Sequence, residues 1–416
     1  MRKLFMTSIL IFCAALALSE AALAAPANWQ QLAELTPNNR AKNDWFGIST
    51  AMSGNTIVVG DFDANIEQFG TVDVFVKPAS GWTNMTQTAT LSSSDNGVGF
   101  GTSVAISGDV IVVGAANTSN FHDPAATPGA AYVFVKPAGG WKDMTETAKI
   151  TASDGLPGDA FGNSVSISGT TIAVGAFFVN NFSGRVYVFT CASNGCTQAA
   201  ELSASDSGGI LDYLGCSVAI SGNTVVAGSY GHNNFQGSAY VYVEPTGGWT
   251  DMTETAELTT FNGKGSDNVG FSVAISGGTV VAGAPGAFTA YGAAYVYVEP
   301  PTGWASTGSF TAALGAPDAA QGDSFSQSVG INEAGKAIVT GAPGANIGVN
   351  LEQGAAYAYV LPATGWHNTR HAYAEATASD GASADLMGVS VAVSGKTIVA
   401  GAPKSSSPGA AYVFGR

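Results

Sequence analysis

The chain has 416 residues, of which 54 are Gly, and it sets 15 Lys and Arg against 30 Asp and Glu for a net charge of −15. Apolar residues make up 46% and charged ones only 11%, which excludes a disordered chain. The acidic balance, without any basic patch, excludes a nucleic-acid partner and docking on an anionic membrane surface.

The first element is a targeting segment. Arg2 and Lys3 precede an apolar stretch from Leu4 to about Leu18, and Ala22-Leu23-Ala24 follows as a cleavage motif. This pattern predicts a signal peptide over residues 1–25, cut near Ala24 or Ala25. The apolar run is too short for a membrane span, and no second run of membrane length follows. The expected location is therefore outside the cytoplasm, either periplasmic or secreted to the cell surface. Residues 26–416 read as one domain.

That domain is a repeat. A phrase of the form Phe-Gly-x-Ser-Val-Ala-Ile-Ser-Gly starts at Phe46, Phe100, Phe161, Leu214, Val269, Phe325 and Met387. Its Ser recurs in every copy, as Ser49, Ser103, Ser164, Ser217, Ser272, Ser328 and Ser390. Periods of this length mean a repeat architecture. Each unit reads as four strands. Strand A is the Ser-Val-Ala-Ile-Ser phrase, and strand B is a near-continuous apolar run such as Thr224 to Gly228. Strand C is a phrase such as Ala130 to Val135. Strand D is the alternating Thr-Glu-Thr-Ala-Glu-Leu phrase. Four antiparallel strands per unit predict an all-β, seven-bladed β-propeller. The last unit stops after its strand C at Tyr412-Val413-Phe414, whereas Asn28 to Leu35 matches the strand-D phrase. The N-terminal strand is expected to complete blade seven and close the ring, which removes exposed edges.

Six of the seven Trp stand at the turn between strands C and D, and blade three replaces this Trp with Cys191 and Cys196 around Ala-Ser-Asn-Gly. In an oxidising compartment these two Cys are expected to pair as a disulfide. The Trp are expected to clamp the hairpin, with a sugar-stacking platform as the alternative. Cys216 is left over and reads as a small core residue.

The Phe-Gly-x-Ser-Val phrase, together with Gly283-Ala284-Pro285, Gly341-Ala342-Pro343 and Gly401-Ala402-Pro403, resembles the FG-GAP repeat of integrin α-subunit propellers and of exported bacterial proteins. The resemblance implies a binding or adhesion role on one face of the ring. Integrin-type blades carry an Asp-rich calcium loop between strands A and B. Here that connection is as short as Ser221-Gly222-Asn223-Thr224, so those sites are not carried over.

Acidic residues recur instead between strand D and the next strand A. One series is Asn39, Asp95, Asp154, Asp206, Asn262, Asp318 and Asp380; the other is Asp44, Asp159, Asp212, Asp267, Asp323 and Asp385. Two readings stay open. Asx side chains fix turns by accepting backbone N–H bonds. Alternatively the pairs Asp154 with Asp159, Asp206 with Asp212, Asp318 with Asp323 and Asp380 with Asp385 are candidate sites for a hard cation such as Ca²⁺.

The loops between strands B and C differ from blade to blade and share a face with these acids. They offer Phe62 and Asp63, His122 and Asp123, Phe178 and Asn181, then Tyr230, His232, Asn233 and Phe235, and finally Tyr291. Aromatics beside Asn and Asp suit recognition of protein or carbohydrate. The four His show no zinc-site spacing, and no nucleophile elbow, phosphate loop or dinucleotide fingerprint is present. The sequence therefore reads as a non-catalytic binding or adhesion module for a protein or surface ligand. A lectin is the alternative, and a hydrolase using loop carboxylates is a third reading.

Overall fold

The computed structural model describes residues 29–38, 44–63, 70–117, 127–192, 195–206, 211–404 and 409–415. The expected signal peptide lies outside them. Seven sheets follow one another in chain order, each with its strands in the spatial order A-B-C-D, and together they form a seven-bladed β-propeller. Blade four shows the plan, with strand A at Ser217–Ser221, B at Thr224–Ser229, C at Ser238–Val243 and D at Ala256–Leu258. All three pairings are antiparallel. Strand B is buried along its whole length, as a strand covered on both faces must be.

Ring closure follows the expected route. In blade seven, strand C at Ala410–Gly415 pairs antiparallel with the N-terminal strand Gln30–Thr36, with a bulge between Gln31 and Ala33. Leu35 and Ala33 are buried against Phe46 of blade one.

The repeated phrase explains how blades hold each other. Its leading residue, Phe46, Phe100, Phe161, Leu214, Val269, Phe325 or Met387, is fully buried. The phrase Ser stitches one blade to the next. Ser49 Oγ donates to the Gly101 carbonyl, Ser103 to Gly162, Ser217 to Gly270, Ser272 to Ser326 and Ser328 to Gly388. Ser390 donates to Gly47 across the closing seam. Ser164 departs from this pattern, accepting from the Val218 N–H instead. These bonds need the two backbones close together, which is why strand B carries a Gly. A Cβ on Gly228 would stand 1.8 Å from the Gly270 carbonyl oxygen.

Strand D is shorter than the sequence pattern implies. The phrase Met-Thr-Glu-Thr-Ala-Glu-Leu divides in two. Its second half, as in Ala256–Leu258, is strand D of its own blade. In three blades its first half crosses to the preceding blade and pairs in parallel there: Met85 with Leu35, Met144 with Leu91 and Met252 with Leu202. Side chains just before it add bonds of the same kind. Asn84, Asp143 and Asp251 accept the N–H of Glu34, Thr90 and Glu201 in the neighbouring strand D. The outer edge of each such blade is thereby covered, which guards it against pairing with another chain.

The C–D turns hold the expected clamps. Trp82, Trp141, Trp304 and Trp366 are less than 10% exposed, and Trp29 and Trp249 are half-buried against the same apolar layers. A sugar platform would need these rings exposed. Cys191 and Cys196 form a disulfide and close the equivalent turn of blade three. Cys216 stands one residue before its strand, partly buried, with its Sγ 3.4 Å from the Gly270 carbonyl.

Candidate functional site

The acidic series between blades makes two kinds of bond. The first Asx accepts the hydroxyl of a buried strand-C Tyr: Asp95 from Tyr132, Asp154 from Tyr187, Asp206 from Tyr240 and Asp318 from Tyr357. Burial, and then the Asp206 carboxylate, pushes the Tyr240 hydroxyl far above its ordinary range, so it remains a donor. The second Asp folds its own loop by accepting the N–H three residues back: Asp159 from Leu156, Asp267 from Lys264, Asp323 from Ala320 and Asp385 from Ala382. Burial raises Asp159, Asp267 and Asp323 against the lowering effect of these bonds. In the pairs Asp154/Asp159 and Asp318/Asp323 the first Asp thus accepts a Tyr hydroxyl and the second a loop N–H, while Asp380 is exposed beside its loop.

Among the described side chains of this series, Asp212 is the exception. It is 6% exposed, and its Oδ2 is buried without a hydrogen-bond partner. Its Oδ1 faces His232 Nδ1 at 3.5 Å. The other ring nitrogen, Nε2, stands 3.4 Å from Asp206 Oδ2 and 3.7 Å from Glu257 Oε1. The structure thus brings together three predicted residues, Asp206, Asp212 and His232, and adds Glu257 from strand D. Asn233, Asn234 and Phe235 border the same cleft, which holds about 430 Å³.

The loops that present these groups share an unusual backbone. In blades three, four and five, strand B is followed by a left-handed turn of three residues: Asn180-Asn181-Phe182, Asn233-Asn234-Phe235 and Phe288-Thr289-Ala290 all have positive φ. Asn tolerates this region, but each residue there costs of order 1–2 kcal/mol relative to the right-handed form. Each turn is closed by bonds such as Gly237 N–H to the His232 carbonyl at 3.0 Å.

Beside the cleft lies a terrace of aromatic rings. Tyr213 and Tyr230 stack at 4.8 Å with planes 7° apart. Phe177 lies 3.8 Å from Phe178, Phe182 packs on Phe178 and Tyr213, and Phe235 reaches both Tyr213 and Tyr230. Phe271, which is exposed, extends the row from Tyr230 at 5.5 Å. Phe178, Tyr230 and Phe235 are predicted site residues that the structure joins. Asn181 and Asn233 are exposed at the edge of this terrace.

The family model of the FG-GAP repeat matches residues 29–75, 85–134, 144–189, 196–242, 252–297, 309–359 and 372–414, one match per blade. The chain belongs to the FG-GAP repeat family. Among curated proteins, none matches it. Of solved structures, a putative 6-phosphogluconolactonase from Bacteroides uniformis is similar with a TM-score of 0.54 at 10% identity, over 80% of this chain and 86% of that one. At that identity the likeness is one of fold.

Within this FG-GAP propeller, other predicted residues fall elsewhere. Tyr291 is separate from the terrace. It lines a second cleft at the border of blades five and six with Phe261, Phe288, Phe310 and Arg370. His122 and Asp123 lie outside the described residues, as do the side chains of Phe62 and Asp63. Sequence reasoning missed Tyr213, Phe182, Phe271 and Glu257. Glu257 gave no signal, because the same Glu recurs in other strands D.

One blade departs electrostatically. Asp73 stands at the strand-C position that holds Tyr in the other blades, fully inside the sheet at 2% exposure. Burial raises its carboxyl to about 6, although Thr90 donates a hydrogen bond to it. The unfolded carboxyl ionises at its ordinary lower value. Between the two values the folded chain keeps a proton that the unfolded chain has lost, so stability falls as pH rises through this window. Asp73→Asn should flatten that fall and stabilise the protein at pH 7 by about 2–3 kcal/mol. Urea unfolding of both proteins at pH 4 and pH 7 measures it; equal differences at the two pH values would refute it.

Proposed function

We propose that this FG-GAP propeller is a non-catalytic binding module that works outside the cytoplasm and recognises a protein or surface ligand through the loop face of blades three to five. The observation that carries this reading is the aromatic terrace. Monomeric proteins seldom leave a contiguous ring cluster partly open to water, and when they do it marks an interaction surface. Aromatic anchors on a rigid frame are also the residues that dominate binding energy. The terrace breaks the sevenfold symmetry of the ring, as a specific site does and a scaffold does not.

A lectin is the second reading. It is favoured by the exposed amides of Asn181, Asn233 and Asn234 beside the rings, which offer hydroxyl-directed hydrogen bonds. The lactonase chemistry named for the similar fold is not adopted. A phosphorylated sugar wants cationic partners, whereas here the cleft imidazole is surrounded by carboxylates.

The test presents the purified protein to a glycan array and to a panel of purified cell-surface proteins. Any ligand bound by the wild type should lose about 2 kcal/mol, roughly 30-fold in affinity, on Tyr230→Ala or Phe178→Ala. Unchanged binding by both variants, with the melting temperature preserved, would rule out the terrace. Binding confined to glycans would select the lectin.

A further inference from the structure

We infer that blade four carries a site for a divalent transition-metal cation of the zinc type, bound by His232 Nε2, Asp206 and Glu257, with Asp212 as the carboxylate behind the imidazole. The first argument is distance. A tetrahedral cation holds its nitrogen and oxygen ligands at about 2.0–2.2 Å, which puts ligand atoms about 3.3–3.6 Å apart. His232 Nε2 lies 3.4 Å from Asp206 Oδ2 and 3.7 Å from Glu257 Oε1, and the three ligand atoms lie within 4.8 Å of one another. Both distances exceed the range of a good N–H···O bond. The groups face one another with room for a cation between them.

The second argument is the far side of the ring. A metal-bound His usually gives its other N–H to a carboxylate, which fixes the tautomer and the ring plane. Asp212 Oδ1 faces Nδ1 at 3.5 Å, and Asp212 is a buried carboxylate whose Oδ2 has no partner. In blades three, five, six and seven the matching Asp accepts its own loop's N–H. In blade four the side chain is turned to the imidazole instead.

Charge and ligand type point the same way. Three carboxylates converge on one imidazole, and a proton on that ring would balance only one of them. The supporting donors are neutral: Tyr240 holds Asp206 Oδ1 at 3.0 Å and Ser238 holds Glu257 Oε1 at 2.8 Å. Imidazole suits zinc-like cations, while calcium takes oxygen ligands in larger number. Only one of the three left-handed turns is preceded by a ligating residue, since Val179 and Ala287 take the place of His232 in blades three and five. Three protein ligands leave the remaining coordination position open to the cleft.

The experiment uses the chain without an affinity tag, stripped with EDTA. Zn²⁺ is titrated by calorimetry and Co²⁺ by its visible absorption. A single equivalent of Zn²⁺ is expected, with the intense bands of four-coordinate Co²⁺. His232→Ala and Glu257→Gln should abolish both signals, and Asp212→Asn should weaken Zn²⁺ binding by about 10–100-fold while the Co²⁺ bands persist. His371→Ala, far from the cleft, should change nothing. Absence of a saturable signal overturns the inference. So does binding that survives Glu257→Gln and His232→Ala, or a thermal shift with Ca²⁺ that exceeds the shift with Zn²⁺. The site does not depend on the aromatic terrace, so the two readings fail separately.

Discussion

A chain lacking Gln30–Thr36 and everything before it should lose at least about 4 kcal/mol of stability and tend to self-associate. Burial of the Leu35 side chain alone is worth about 1.5–3 kcal/mol. The rest comes from the backbone bonds to Ala410–Gly415 and from Ala33. The larger consequence is topological. Without this strand, blade seven ends on an open strand C whose row of N–H and C=O groups invites pairing with another chain. Blade one also loses the buried contacts between Leu35 and Phe46. Guanidinium unfolding and size-exclusion chromatography check this. An unchanged unfolding midpoint in a monomeric protein would show that the ring does not depend on its closing strand.

The second large effect concerns the spacing of the blades. Gly228→Ala should cost about 3 kcal/mol or more, because overpacking that no rotamer can relieve forces two backbones apart. The added Cβ would meet the Gly270 carbonyl oxygen at 1.8 Å and the Ser217 hydroxyl at 2.3 Å. That clash removes the Ser217-to-Gly270 bond between blades four and five as well. Ser217→Ala, which loses only the bond, should cost about 1 kcal/mol. Thermal melts of both variants separate the two effects. If Gly228→Ala cost no more than Ser217→Ala, close approach of the backbones would not be what the strand-B Gly protects. A chain opened at blade four would also disturb the His232 cleft, so Zn²⁺ binding offers an independent readout of the same strain.

The architecture was legible because it is written seven times. The buried leading Phe, the phrase Ser and the strand-B run each repeat, and a blade cannot bury both faces without neighbours. The fate of the N-terminal strand was legible too, since Asn28 to Leu35 reads as a strand D with no unit of its own. The parallel excursions of Met85, Met144 and Met252 were not. An alternating phrase has the same pattern whether its first half pairs with its own blade or the preceding one.

The functional residues divide on the same line. By itself the sequence determined that the variable loops of blades three and four carry rings beside Asn, and that the loops of one face are acidic. Periodic chemistry of this kind shows as a departure from a repeat. Only the tertiary structure decided that Tyr213 stacks on Tyr230, that Phe271 joins the row, and that Tyr291 faces a different cleft. It alone placed Glu257, 25 residues beyond His232 in the chain, beside the same imidazole. The cleft draws on strand D of one blade, the loop before its strand A and a left-handed turn, and their convergence depends on blade packing and backbone handedness. Residue spacing along the chain carries neither.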